Sequence, residues 1–208
     1  MSAESRHSHW ENVYTSKGEN EVSWFQENPS PSLELIIQAG ATPNTAVVDI
    51  GGGASRLVDA LVEKGFRAVT VLDLSEAALN AARARLGRNA DKVRWIVADV
   101  TTWAPPQLYD IWHDRAAFHF LTEEHDRAAY LTRLREAVRP RGHAIIATFA
   151  PDGPERCSGL PVTRYDAANL GRTLGAAFEL VETRRDQHNT PWGSEQRFQF
   201  SVFRRTTS

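Results

Sequence analysis

A chain of 208 residues is long enough for one domain with a substantial core, and 41% hydrophobic with 24% charged residues excludes a disordered composition. The formal net charge of -2, with both signs interspersed, argues against a nucleic-acid footprint, and no apolar run reaches the roughly 18 residues of a membrane helix. Cys157 is the only cysteine, which excludes an internal disulfide, and the polar N-terminus lacks the apolar stretch of a signal peptide, so a soluble cytoplasmic protein is expected.

Residues 1–9 read as a loose polar tail. Trp10, Tyr14, Trp24 and Phe25 then interrupt an otherwise polar segment. Two readings stand for it, an arm packing its rings on the core or a lid over a pocket. Residues 1–30 are therefore set apart as an N-terminal arm or lid, and 31–208 as a single domain. Ser30 and Pro31 start a helix with Leu33, Ile36 and Ile37 on one face, ended by Gly40. A first strand covers 46–50, and Leu57, Leu61 and Val62 give the following helix its apolar face. The second strand, 68–73, is β-branched and nearly all apolar, as a strand buried on both faces requires. Ser75 caps a helix over 76–86 that Gly87 stops. Strands follow over 93–99 and 109–114. A helix opened by Thr122 turns Leu131, Leu134 and Val138 inward and closes before Pro140, and a fifth strand covers 143–149. Alternation of this kind predicts a parallel α/β sheet with right-handed crossovers. After a helix over 165–176, residues 178–183 and 198–203 alternate with period two around the turn-rich segment 187–196. They read as a hairpin whose last strand runs antiparallel to the rest.

The stretch from Val47 to Leu57 carries the chemistry. An apolar run stops at Asp49-Ile50, turns through Gly51-Gly52-Gly53 and becomes a helix. Backbone passes this close to a ligand at the carboxyl end of a parallel strand. A dinucleotide fingerprint would want a third glycine where Arg56 stands, and Asp49 would sit poorly beside a pyrophosphate but well beside a cationic amine. Asp73 ends the next strand, where a carboxylate accepts hydrogen bonds from both ribose hydroxyls. Asp99 ends the third, within reach of an adenine amino group, and Leu74 or Val100 could wall the ring. An amine, a ribose and an adenine without phosphates describe S-adenosylmethionine.

From Val47 to Arg205 the chain resembles the class I S-adenosylmethionine-dependent methyltransferases. Asp49-x-Gly51-x-Gly53 looks like their first motif, Val71-Leu72-Asp73-Leu74-Ser75 the second and Ala98-Asp99-Val100 the third; Ser55 stands where many members have another glycine. The resemblance implies a Rossmann-like α/β fold: a seven-stranded, mostly parallel sheet of order 3-2-1-4-5-7-6, strand 7 antiparallel, with helices on both faces. It also implies a methyl acceptor held by residues after the fourth strand, after the fifth strand and in the arm. Trp10-x-x-x-Tyr14 with Trp24-Phe25 is similar to the segment that covers the cofactor in elongation-factor and citrate-synthase lysine methyltransferases, and on that likeness Trp24 joins the cofactor-binding set. The D-K-G-T of those enzymes is replaced here by Asp114-Arg115-Ala116-Ala117. Ile111 to Ala116 looks more like the I-W-D-R-G segment of thiopurine and small-thiol methyltransferases.

On the acceptor side, Asp114 and Arg115 form an ion pair at the strand end or else face the methyl group, and His119 is a packed ring or a base. Asp114, Arg115 and His119 are the catalytic candidates. Cys157, in the long connection 153–165, is a buried thiol or a substrate-facing residue, and 188–197 is expected at the pocket mouth. Methylation of a small nucleophile, such as a thiol, is the expected activity, with a protein lysine as the alternative acceptor and no metal, nucleic acid or membrane partner. A nicotinamide dehydrogenase or a non-catalytic binding module are the competing classes.

Overall fold

The computed structural model describes residues 3–207. It contains helix α1 (Ala3–Ser16), α2 (Ser30–Gln38), strand β1 (Ala46–Ile50), α3 (Leu57–Glu63), β2 (Ala68–Asp73), α4 (Glu76–Leu86), β3 (Val93–Val97), β4 (Tyr109–Arg115), α5 (Glu124–Ala137), β5 (Val138–Phe149), the two-residue pair β6 (Arg156–Cys157) and β7 (Leu160–Pro161), α6 (Ala167–Leu174), β8 (Phe178–Asn189) and β9 (Glu195–Arg205). The main sheet has the order β3-β2-β1-β4-β5-β9-β8. Its first five strands pair in parallel and β9 lies antiparallel between β5 and β8, the arrangement the resemblance implies. Period-two side chains divide the core between the two faces. Val48, Ile50, Trp112 and Ile146 pack with α5 and α6 on one side; Val47, Val69, Ile111 and Ile145 pack with α2 and α3 on the other. Among the described residues no helix is long and apolar enough to cross a membrane.

The expected tail is a helix. Of residues 1–9, Met1 and Ser2 lie outside the described residues, and the rest begin α1. Its polar sequence has little to bury, so charge and aromatic contacts hold it in place. Arg6 is buried and donates to Asp126 at 2.6 Å and to Asp99 at 2.9 Å. Trp10 packs edge-on against Trp24 and Phe120. Glu11 accepts from the Ser75 hydroxyl at 2.8 Å and from the Ala77 amide at 3.3 Å, so a carboxylate sits at the positive N-terminus of α4.

Other boundaries shift for local reasons. Val138 leaves the helix and begins β5, because residues ahead of Pro140 favour extended backbone. Ser30 lies inside α2, where its hydroxyl donates to Glu34. β3 ends at Val97, and Asp99 instead anchors a turn whose Thr102 and Trp103 amides donate to its carbonyl. The last hairpin continues to Asn189 and resumes at Glu195, so half of the segment read as turn-rich is ladder, closed by Thr190–Ser194 with Gly193 at φ +85°.

Replacing Arg6 by methionine leaves Asp99 and Asp126 largely buried without their cation. The expected outcome is a loss of about 3 kcal/mol in unfolding free energy by urea titration, with faster tryptic cleavage at Lys17 as α1 detaches.

Candidate active site

The glycine turn fits its place because side chains do not. Gly51 and Gly53 have φ of +65° and +46°, and the Gly51 and Gly52 amides donate to the Leu72 carbonyl. A Cβ on Gly52 would fall 2.6 Å from Asp49 Oδ2 and 2.7 Å from Val71 Cγ1; one on Gly53 would fall 2.8 Å from the Tyr14 hydroxyl and 3.0 Å from Asp73 Oδ2. The middle glycine is therefore as constrained as its neighbours, although a D-x-G-x-G pattern leaves it open. Ser55 accepts from the Leu57 amide at the start of α3, so it serves the helix start in the place of a further glycine.

Asp49 is 2% exposed, and its Oδ1 lies 2.6 Å from His113 Nδ1. The other ring nitrogen of His113 lies 2.8 Å from the Ser32 hydroxyl. Serine, histidine and aspartate follow one another here in the order of a hydrolytic triad, but Ser32 is 2% exposed and lines neither cavity beside the glycine turn, so the chain orients Asp49. The register of β1 against β4, which sets Asp49 beside His113, was not visible in the sequence; a histidine in a buried strand is the only hint.

A cavity opens across the carboxyl ends of β1, β2 and β4. Asp73, Leu74, Asp99 and Val100 line one end, and Arg115, Cys157 and Phe198 the other. Trp24 and Tyr14, from the arm, also line it, and the Trp24 indole donates to the Tyr14 hydroxyl at 3.1 Å. Burial, then the charge of Asp49, push the Asp73 carboxyl up to about 7, against the opposing hydrogen bonds from the Ser75, Gly53 and Leu74 amides. Burial also acts to raise Asp99, but hydrogen bonds from Thr101 and Arg6 outweigh it and hold Asp99 low. Arg6, His113 and Phe198 are site residues the sequence did not single out; for Arg6 and Phe198 their partners are distant in the chain.

The three catalytic candidates separate. Asp114 is fully buried and accepts from the Tyr130 hydroxyl at 2.7 Å and from the Ala117 and Phe118 amides at 2.9 and 3.1 Å. Burial raises its pKa to about 6. It fixes the turn after β4, where Ala116 has φ +71°, and does not line the cavity. The Asp114–Arg115 ion pair does not form, since neighbours on a strand point to opposite faces. His119 is fully buried against Phe120 and Phe149. Burial and then the charge of Arg115 depress it to about 3, which leaves a neutral packed ring outside the cavity lining. Arg115 alone of the three reaches the cavity. Its Nη1 donates to the Trp24 carbonyl at 3.0 Å, and its guanidinium lies 4.6 Å from the Phe198 ring centroid. From the hairpin connection, His188 packs against the arm at the Ser23 carbonyl, and Trp192 remains at an exposed tip away from the mouth.

Carboxylates and amides at one end and a glycine turn no side chain fits suit a nucleoside carrying an amine. The comparisons agree. A family model described as a methyltransferase domain matches residues 47–142. The chain is 30% identical over 171 residues to N-terminal Xaa-Pro-Lys N-methyltransferase 1 of Rattus norvegicus, covering 76% of this chain and 73% of that one. It is 29% identical over 188 residues to thiocyanate methyltransferase 1 of Arabidopsis thaliana, covering 88% and 78%. The crystal structure of Burkholderia thailandensis 1,6-didemethyltoxoflavin-N1-methyltransferase, with S-adenosylhomocysteine bound, superposes with a TM-score of 0.69 at 23% identity, covering 97% of this chain and 84% of that one. Several curated relatives are longer, and the chain spans 48% to 60% of their length. This chain belongs to the class I S-adenosylmethionine-dependent methyltransferases.

With ribose hydroxyls at Asp73, as the resemblance implies, they would donate to its ionised form, so binding of S-adenosylhomocysteine would lower its pKa and release a proton below pH 7. Calorimetry is expected to show a constant affinity above about pH 7, weakening toward about tenfold per unit below it. Asp73→Asn should flatten that dependence and weaken binding about ten- to hundredfold at pH 8.

Proposed function

We propose that this chain transfers a methyl group from S-adenosylmethionine to a small-molecule nucleophile. In this reading Asp49, with the turn at Gly51 and Gly53, takes the amine of the methyl donor, Asp73 the ribose and Asp99 the adenine amino group. Leu74 and Val100 wall the ring, and residues 1–30 with Trp24 cover the site. The observation that carries the reading is Arg115, a cation at the acceptor end with no ion-pair partner among the described residues. It repels an incoming lysine ammonium and leaves a neutral or negative acceptor favoured. The arm further narrows the approach a protein chain would need. The relative that methylates a protein N-terminus supports a second reading, in which the acceptor is a protein amine bedded against Trp10, Trp24 and Phe120.

Methyl-labelled donor, incubated with the protein and a cell extract split into macromolecular and small-molecule fractions, separates these readings. Label is expected in the small-molecule fraction. Label in protein would establish the second reading, and label in neither would leave a binding module.

A further inference from the structure

We infer that the acceptor is a small anion, docked by its own charged nucleophilic group on Arg115 and methylated without a general base. The inference deepens the methyl-transfer reading above and rests on it.

A guanidinium carries five N–H bonds. In Arg115 the Trp24 carbonyl takes one at Nη1, while Nε and Nη2, sealed from water, have no acceptor. Unmet charged donors are costly, and the ring of Phe198 beneath them offsets only part of that cost. The carboxylates that act on Arg115 are Asp186 on β8 and Asp49 on β1, and neither makes an ion pair with it. A site that holds a cation with spare donors beside a cavity is completed by an anion that a ligand brings.

The proton inventory points the same way. At the acceptor end, burial pushes the Cys157 thiol up to about 11, so it is protonated. Burial and the charge of Asp73 also raise the Tyr14 phenol. Asp114 and His119 do not reach the cavity, and the His188 ring is turned to the Ser23 carbonyl and depressed by burial and by Arg115. Among the described residues that line this cavity beside Arg115 and Phe198, none is poised to remove a proton at neutral pH, so the nucleophile arrives without one. An acceptor lone pair forms the bond to the methyl carbon as the bond from that carbon to the donor sulfur breaks, and the broken bond's electron pair stays on sulfur. Anion and sulfonium become two neutral groups with no proton transfer. The neutral product then loses its attraction to Arg115, which favours release.

The test uses the small-molecule extract fraction passed over an anion exchanger. Labelled product is expected from the salt eluate and not from the flow-through; label from the flow-through alone would overturn the inference. Mild alkali identifies the anion, because it frees label as methanol from a methyl ester made on a carboxylate and leaves a methyl thioether made on a thiolate. Arg115→Met should lower kcat/KM with the eluate about ten- to hundredfold while changing S-adenosylhomocysteine affinity less than about threefold. Arg115→Lys should recover part of the loss. An equal loss of S-adenosylhomocysteine affinity in Arg115→Met would assign the arginine to the carboxylate of the methyl donor and overturn its acceptor role. Absence of label from both fractions, with S-adenosylhomocysteine still bound, is failure of the methyl-transfer reading itself.

Discussion

The contact on which the site depends is the one between Asp49 and His113. A carboxylate 2% exposed at the end of β1 is tolerable only with a hydrogen-bonding partner, and the parallel register supplies one by setting His113 opposite Asp49. With that carboxylate fixed, the chain beyond it has no room for side chains. Gly52 must pass Asp49 and Val71, and Gly53 must pass Tyr14 and Asp73. The turn thus brings three strand ends and the arm to one place. Asp73 is raised in part because Asp49 is charged nearby, so the two carboxylates at the donor end are electrostatically linked.

The arm is held by charge more than by apolar burial. α1 is largely polar, and an isolated helix of that length is marginal in water. It is held because Arg6 meets two carboxylates and Glu11 meets the open amides of α4. Both anchors touch the donor end of the cavity, since Asp99 and Ser75 flank it. The arm and this end of the cavity therefore share residues.

At the opposite end the electrostatics invert. One end of the cavity presents Asp73 and Asp99; the other presents Arg115 over Phe198. This polarity matches the chemistry of the family, in which a cationic methyl donor meets an electron-rich acceptor. The last two residues of β4 divide the work by strand parity. Asp114 faces inward and ties down the turn with Tyr130, and Arg115 faces the cavity.

The order of strands and helices, the glycine turn and the carboxylates at the strand ends were legible in the sequence. Periodicity, caps and an acid before a glycine run are local signals with local causes. The sheet order came from resemblance, and the structure agrees with it. What the sequence could not decide depends on contacts between distant residues. A polar segment with the look of a tail becomes α1 only because Asp99 and Asp126 receive Arg6. Asp114 and His119, both plausible by type, leave the cavity because Tyr130 and Phe149 claim their faces. Arg115 is set apart from them because its neighbours Trp24 and Phe198 come from the arm and from β9. Residue type and spacing thus determined the run of strands and helices and the glycine turn, with carboxylates beside it. The acceptor end was decided by tertiary packing, because burial and partnering, and not sequence, select which of several similar charges faces the ligand.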